Sequence, residues 1–195
     1  MKLTREGFLT AILVVAALFV GSFVVERMPT PDALLGGRPF LQETPIGDPV
    51  ELRTAEVTVV EVQPAKRVEL FGQVSEAAGI WLVAEIVWAP IASPSSLGGA
   101  FVALETTDGR TFGDAQTVNN TCGPTQPGLA VACQIAIEVD PDALADAQLL
   151  VPAETSVRAA DDVARIDPGI DRATVERWTE SDEQIALLES TAATS

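Results

Sequence analysis

The chain contains no histidine and no tyrosine. Histidine is the commonest general base in enzymes and a common zinc ligand, so its absence excludes Ser-His-Asp and Cys-His catalysis. Cysteine is also scarce, with only Cys122 and Cys133. Two cysteines without histidine cannot complete a structural zinc site. We therefore expect no metal and no other cofactor, and we predict no catalytic residues and no enzyme activity.

Basic residues are scarce as well. The chain has 12 Lys and Arg against 28 Asp and Glu, and residues 26–195 carry 27 of the acids and 10 of the basic residues, a net charge of −17. Such a surface repels phosphate backbones and anionic headgroups, so we predict that the protein binds no nucleic acid. Abundant Ala, Val and acidic residues with little Lys are typical of actinobacterial or haloadapted proteins.

One long apolar run lies at residues 8–25, which contain no charge and no proline. Eighteen helical residues reach about 27 Å, close to the thickness of a hydrocarbon core. The run is longer than the core of a signal peptide and lacks a clear cleavage site, so it predicts an uncleaved transmembrane anchor. A cleaved signal peptide and a buried helix are the alternatives. Lys2 and Arg5 favour a cytoplasmic tip at residues 1–7.

This orientation predicts a single-pass protein of the cell membrane with an extracellular C-terminal domain. On that oxidising side, Cys122 and Cys133 are expected to form a disulfide, with a pair of free thiols as the alternative. The bond would close a short loop and contribute about 3 kcal/mol through chain entropy.

Residues 26–48 are rich in proline and glycine and predict an extended linker. The apolar exceptions are Leu34, Leu35, Phe40 and Leu41. They dock on the domain or at the membrane interface, or are occasional apolar residues of a linker. The folded domain is predicted to cover residues 49–168.

From Val50 onward the apolar pattern has period two, which indicates strands. The alternation slips at Val59-Val60, which predicts a bulge. Residues 63–66 predict a turn, and residues 67–74 predict a second strand. Residues 80–89 are apolar on both faces and predict a central strand. Within it, Trp81 and Trp88 are expected to pack on opposite faces, with a ligand-stacking platform as the alternative.

Further strands follow. Asp108-Gly109 predicts a hairpin with a type I′ turn at residues 100–112. Alternation over residues 129–139 places Cys133 on the inward face. Asp140-Pro141 predicts a capped helical turn, and strands are predicted at residues 148–152 and 162–167. About eight short strands without βαβ alternation predict an all-β, antiparallel sandwich.

The order of these motifs resembles an immunoglobulin-like domain of unknown function from secreted and lipid-anchored proteins of Gram-positive bacteria, a family that also carries a telomeric-repeat-factor-like label. The matching motifs, over residues 47–167, are Gly47, Val57-Thr58-Val59, residues 79–86, Leu104, residues 108–112, Pro127-Gly128, residues 133–139, Asp140-Pro141 and Ala143-Leu144.

The resemblance implies an immunoglobulin-like β-sandwich outside the cytoplasm. The family has no agreed catalytic residues, so it transfers none. The chain departs from the family in having Ala89-Pro90-Ile91 where an Asn-containing turn is usual, and a membrane span where a lipid is usual. The cysteine spacing is also too short for the inter-sheet bridge of an antibody domain.

Residues 169–195 predict an acidic helix and tail. Four apolar residues at near-helical spacing follow a possible cap at Asp171, and the last six residues have the composition of a disordered end. The apolar stripe predicts an amphipathic helix that docks a partner, with packing on its own domain as the alternative. Its members are Val175, Trp178, Ile185 and Leu188.

Together these features predict a binding or assembly module that meets a protein partner in the cell envelope, such as an accessory subunit of an envelope complex. One alternative is an envelope hydrolase that uses carboxylates alone, for which Glu85 is the best single candidate. The other is a Ca²⁺-dependent adhesion module using Asp140, Asp142 and Asp146, although helix capping explains these residues better.

Overall fold

The computed structural model describes residues 39–113, 118, 120–153 and 162–193. The predicted cytoplasmic tip, the predicted anchor and residues 26–38 of the predicted linker lie outside the described residues. Within the described ranges, no helix combines the length and apolar character needed to cross a membrane.

Strands dominate the described chain. In chain order they are β1 (Phe40–Pro45), β2 (Val50–Glu51), β3 (Ala55–Leu70), β4 (Gln73–Pro90), β5 (Ser95–Gly98), β6 (Ala103–Glu105), β7 (Thr111–Phe112), β8 (Thr121–Thr125), β9 (Val131–Val139), β10 (Gln148–Pro152), β11 (Asp162–Asp167), β12 (Gln184–Ala186) and β13 (Thr191–Ala192). Helix α1 spans Arg172–Thr179, and 3₁₀ turns lie at Gly99–Phe101 and Pro141–Ala143.

Two sheets pack face to face around the main hydrophobic core. The five-stranded sheet has the order β1-β11-β10-β6-β7, and the six-stranded sheet has the order β12-β3-β4-β9-β13, with β2 also paired to β3. Buried Ile86 and Ile135 of the six-stranded sheet meet buried Leu104 and Ile166 of the five-stranded sheet in one cluster. The fold is therefore a β-sandwich, and the prediction of an all-β sandwich is confirmed.

The pairing is not wholly antiparallel. β1 runs parallel to β11, and β12 runs parallel to β3. Both exceptions are outer strands that no hairpin joins to their neighbours, so chain connectivity does not force the antiparallel direction on them. The expectation of a purely antiparallel sandwich is wrong at these two edges.

The predicted central strand is confirmed. β4 pairs with β3 on one side and with β9 on the other. Trp88 faces the main core and Trp81 faces the opposite side of the sheet, and each is only 1% exposed. The prediction that both tryptophans are packing residues is therefore confirmed.

The turn predicted at residues 63–66 is wrong. β3 continues through this stretch to Leu70, and the chain reverses at Phe71-Gly72. Pro64 pairs with Leu82 in a part of β3 between its contacts with β2 and β12, where an edge strand tolerates a missing N–H. The slip at Val59-Val60 is confirmed as a register shift between Val59 and Glu61.

The end of the predicted linker also differs. Residues 40–45 form β1, an edge strand of the sandwich, so the folded region begins before the predicted boundary at residue 49. Phe40 is 77% exposed there. Pro45 ends the strand, in an edge position that needs no hydrogen-bond donor.

The hairpin predicted around Asp108-Gly109 forms between β6 and β7. Gly109 has φ +81°, but Asp108 does not have a positive φ, so the turn is not type I′. The Thr106 N–H donates to the Arg110 carbonyl over 2.9 Å, and the Gly109 N–H donates to the Thr106 carbonyl over 2.9 Å. This is the three-residue loop in which glycine supplies the left-handed position.

We expect this turn to be sensitive to acid. The Thr106 hydroxyl donates to the Asp108 carboxylate, and the Arg110 Nε donates to it over 2.8 Å. These bonds, that from Thr106 first, hold the pKa of Asp108 below its usual value. A lowered pKa means that the carboxylate stabilises the fold above the unfolded-state value of about 3.9 and loses this effect as the pH falls through the folded value.

The replacement Asp108→Asn should therefore lower the melting temperature at pH 7 and have a smaller effect at pH 3. Thermal melts at both pH values, with a carboxyl NMR titration of Asp108, measure this. Asp142→Asn, which removes an exposed aspartate from a different turn, is the control for net charge. A carboxyl that titrates at or above the ordinary aspartate value would contradict the proposed role of the turn.

Candidate functional site

The predicted disulfide is present. Cys122 of β8 is bonded to Cys133 of β9, with 5.3 Å between their Cα atoms, and both residues are buried. Cys133 faces the main core, as its place in the alternating strand predicts. The bond ties the two-stranded sheet of β5 and β8 to the six-stranded sheet.

The four residues of the predicted helical stripe do not share one helix. Val175 and Trp178 lie on α1 and pack against the main core. The predicted cap is confirmed, because Asp171 Oδ1 accepts from the Thr174 N–H over 2.8 Å. The helix ends at Thr179, Ile185 lies in β12, and Leu188 follows that strand. The prediction of one helical face over all four residues is therefore wrong.

Residues 183–193, which we call the C-terminal strap, contain both outer strands of the six-stranded sheet, β12 and β13. At one edge, Gln184–Ala186 pairs with β3. At the other edge, Thr191–Ala192 pairs with β9. The prediction of a disordered end is therefore wrong for residues 191 and 192, because strand pairing orders them.

The β3–β4 hairpin has an irregular register at residues 65–67. Ala65 pairs with Trp81, whereas Arg67 pairs with Glu76, so one residue of β3 lies opposite four residues of β4. A bulge of this kind turns the strands away from the sheet. The Lys66 ammonium donates to the Ala77 carbonyl within the bulge over 2.8 Å. We call residues 67–76 beyond it the hairpin arm.

A second hydrophobic cluster joins the arm, the strap and the outer face of the sheet. Val68 of the arm and Leu187 of the strap belong to the same cluster as Trp81, Val83 and Ala136 of the sheet. Leu187 is only 7% exposed. The Trp81 indole N–H donates to the Ser75 carbonyl of the arm over 3.2 Å. One leucine of the strap, Leu187, thus packs on the outer face of the sheet.

Two buried amides hold the backbone beside that leucine. Asn120 Nδ2 donates to the Leu188 carbonyl over 2.8 Å, and Gln134 Oε1 accepts from the Leu188 N–H over 3.1 Å. Asn120 is 5% exposed and Gln134 is 6% exposed. Buried amides need hydrogen-bond partners. The strap supplies some of them, and Asn120 Nδ2 also donates to the Gln134 carbonyl over 2.8 Å. We call this pair the amide clamp.

Further along, the strap binds through its own backbone and one hydroxyl. The Gly123 N–H donates to Ser190 Oγ over 2.8 Å, and the Ala193 N–H donates to the Ala130 carbonyl over 3.0 Å. Backbone pairing at a sheet edge with a side-chain pocket for an anchor residue is the way in which proteins bind extended peptides. The arrangement is therefore chemically suited to hold an extended segment.

The tip of the hairpin arm is the other unusual surface. Phe71 has φ +50° and Gly72 has φ +75°. Positive φ at both central residues is the type I′ pattern, which asparagine and glycine adopt readily and phenylalanine does not. Phe71 is 72% exposed, and the neighbouring Val74 is 53% exposed. The fold therefore presents an aromatic ring to solvent in a costly backbone conformation.

The sequence pattern predicts neither surface. The Phe71-Gly72 pair between two period-two runs was a signal for the true hairpin turn, but Pro64 indicated an earlier one. Gln134 occupies one of the polar positions in the alternation of its strand. The sequence pattern therefore does not show whether its side chain binds another segment or faces solvent.

The acidic candidates occupy separate places. Glu85 lies on β4, half-buried and opposite Glu61 and Gln134. Asp140 caps a 3₁₀ turn, as predicted, because its Oδ1 accepts from the Asp142 N–H over 3.1 Å. In the part of the chain that the structure describes, no three His, Cys, Asp or Glu side chains are grouped to hold a metal ion.

Glu138 and Asp140 line an open groove of about 460 Å³ beside Gly79 and Phe112. Glu138 Oε1 accepts from the Ala78 N–H over 2.7 Å, and Asp140 has the capping bond already described. Each carboxylate therefore binds a backbone amide of the fold.

No family model matches the chain, and no curated protein is similar enough to match it. Among solved structures, the chain is similar to the yjhA protein from Bacillus subtilis, with 13% sequence identity and a TM-score of 0.40 over 63% of this chain and 98% of that one. It is also similar to an uncharacterized β-sandwich protein from Clostridium difficile 630, with 11% identity and a TM-score of 0.41 over 67% of this chain and 96% of that one.

Proposed function

We propose that this protein is a binding or assembly module without enzyme activity, held at the outer side of the cell membrane by residues 8–25. It meets a protein partner of the cell envelope. The apolar run and the basic residues before it support the location. The bonded cysteines also support it, because disulfides persist in oxidising compartments.

Strand order supports an immunoglobulin-like sandwich within this proposal. In that fold, strands B and E are neighbours in one sheet, and strands C, F and G are neighbours in the other. In this chain β4 and β9 are neighbours and correspond to B and E, whereas β6, β10 and β11 correspond to C, F and G. The immunoglobulin-like family resemblance is consistent with this order.

The tip of the hairpin arm is the observation that carries the function. Phe71 is exposed and holds a backbone conformation that costs a non-glycine residue about 1–2 kcal/mol. Residues held in such conformations cluster at functional sites. Buried aromatic anchors supply much of the binding energy of protein interfaces. Phe71, with Val74 beside it, is therefore the proposed anchor for the partner.

The replacement Phe71→Asn separates binding from folding. Asparagine favours the left-handed conformation, so the free energy of unfolding should stay constant or rise by less than about 1 kcal/mol. The partner contact should be lost. The measurement is photo-cross-linking in native membranes from position 73, an exposed neighbour that each variant keeps, followed by recovery of the cross-linked partner.

Ile91→Asn is the matched control. Ile91 is also exposed and apolar, but it follows the end of β4 opposite the hairpin tip. We expect this variant to retain the partner. Equal recovery of one discrete partner by the wild type, Phe71→Asn and Ile91→Asn would remove the tip from the interface.

A further inference from the structure

The C-terminal strap has the contacts of a bound peptide rather than those of an integral strand. Its anchor, Leu187, sits in the second hydrophobic cluster, and the amide clamp binds the backbone of Leu188. At the two edges of the sheet, two or three of the described strap residues pair with each strand. Short edge pairings of this kind open more readily than the core of a sheet.

The groove needs an occupant. Without the strap, the amide clamp would lose its bonds to Leu188, and Trp81 would lose the covering leucine. Trp81 and its apolar neighbours would then meet water, and burying such apolar surface again is favourable by about 25 cal/mol per Å². Binding of a strap to the empty groove is therefore favourable, whether that strap belongs to the same chain or to another.

We propose that this groove also accepts the C-terminal strap of a second copy of the chain, so that two copies exchange straps. The surface differs from the hairpin tip, so this inference goes beyond the proposed function and does not depend on it. A second copy offers the same leucine to the cluster, the same backbone to the clamp and the same Ser190 hydroxyl to the Gly123 N–H. Every contact of the strap within one chain is reproduced between two chains.

The chain has a hinge where such an exchange requires one. α1 ends at Thr179 and packs through Val175 on the main core, so it stays with its own domain. The strap begins at Glu183, whose carbonyl accepts from the Lys66 N–H over 2.8 Å. Residues 180–182 lie between the helix and the strap. They span about 3.3–3.6 Å each when extended, so the strap can leave while α1 stays on the sandwich.

Protein concentration determines whether a strap occupies the groove of its own chain or that of a second copy. A strap linked to its own groove has an effective concentration in the millimolar range, which favours closure within one chain. Exchange therefore grows with protein concentration and with the time allowed for the strap to open. Both domains of an exchanged pair keep the complete fold.

Two single-cysteine variants of the full chain test the exchange. Ala132 and Thr191 are partners across β9 and β13. A chain with Ala132→Cys is mixed with a chain with Thr191→Cys, incubated at high concentration and oxidised mildly. Neither chain can close the 132–191 bond alone, so a covalent heterodimer with this bond, mapped by mass spectrometry, reports a strap in the groove of another copy.

We expect several-fold more heterodimer than from a control pair in which Thr107→Cys, on the exposed hairpin loop, replaces Ala132→Cys. Adding Leu187→Asp to the Thr191→Cys chain should abolish the excess, because a carboxylate cannot enter the second hydrophobic cluster. The double variant Ala132→Cys/Thr191→Cys should close the bond within one chain. Ile185→Cys with Val68→Cys tests the other edge in the same way.

Three results would overturn the proposal. The first is heterodimer at the level of the control pair, although the double variant closes its bond. The second is heterodimer that survives Leu187→Asp, since that indicates random collision. The third is failure of both cysteine pairs to close within one chain, because the strap would then not lie in the groove.

Discussion

Replacing Trp81 with alanine is expected to lower the free energy of unfolding by about 3–5 kcal/mol. Trp81 is 1% exposed, and it is the largest side chain between the hairpin arm, the strap and the sheet. Its removal leaves a cavity in the second hydrophobic cluster and takes away the bond to the Ser75 carbonyl. Denaturant unfolding followed by far-UV circular dichroism measures the loss.

The same substitution should affect the arm and the strap before it affects the sandwich. In hydrogen exchange, the Leu187 N–H, which donates to the Glu69 carbonyl of the arm, should lose protection at denaturant concentrations that leave β10 protected. Trp81→Phe, which keeps an aromatic ring and loses the indole bond, should cost clearly less. Trp178, half-buried on α1, gives the comparison: if Trp81→Ala costs no more than Trp178→Ala, the second cluster is not a structural unit.

Much of the sandwich could be predicted because the apolar residues of its strands recur at the positions that the fold buries. Residues 148–152 and 162–167 form strands with the predicted bounds. The alternation that ends at Val139 placed Cys133 inside and predicted β9. In these strands one face meets the core, so the local pattern and the tertiary environment agree.

The outer layer could not be predicted, because its order comes from long-range contacts. Thr191 and Ala192 have no strand signal of their own, yet they pair with the edge of β9. β9 is already held by β4, and an edge that exposes its backbone groups can order almost any sequence that reaches it. The composition of the last residues therefore predicted disorder where the sheet imposes a strand.

The predicted turn at residues 63–66 and the predicted four-residue helical stripe are wrong for the same reason. Each assigns one structure to a pattern that also fits another. Pro64 predicts a turn, but proline is also compatible with an unpaired edge of a strand. The spacing of Ile185 and Leu188 predicts a continuation of the stripe from Val175 and Trp178. Three-residue spacing over so few positions also arises by chance in extended chain.

The disulfide is expected to stabilise the strap as well as the sandwich. The double replacement Cys122→Ala/Cys133→Ala should lower the free energy of unfolding by about 3 kcal/mol, the entropy expected for a loop of this size. The bond joins β8 to β9, and two groups that hold the strap lie beside it: Asn120 two residues before Cys122, and Gly123 directly after it. Removing the bond should therefore loosen the amide clamp as well as the fold.

Hydrogen exchange separates these two effects. The Leu188 and Ala193 amides, which bond near the disulfide, should lose more protection than the Leu187 amide, which bonds to the arm. Leu149→Ala is the matched control, because this fully buried residue of the five-stranded sheet should cost about 2–5 kcal/mol without a selective effect on the strap. A uniform loss of protection in both variants would mean that the disulfide stabilises the sandwich alone. A selective loss at Leu188 and Ala193 would mean that the redox state of the cysteines also sets how readily the strap leaves its groove.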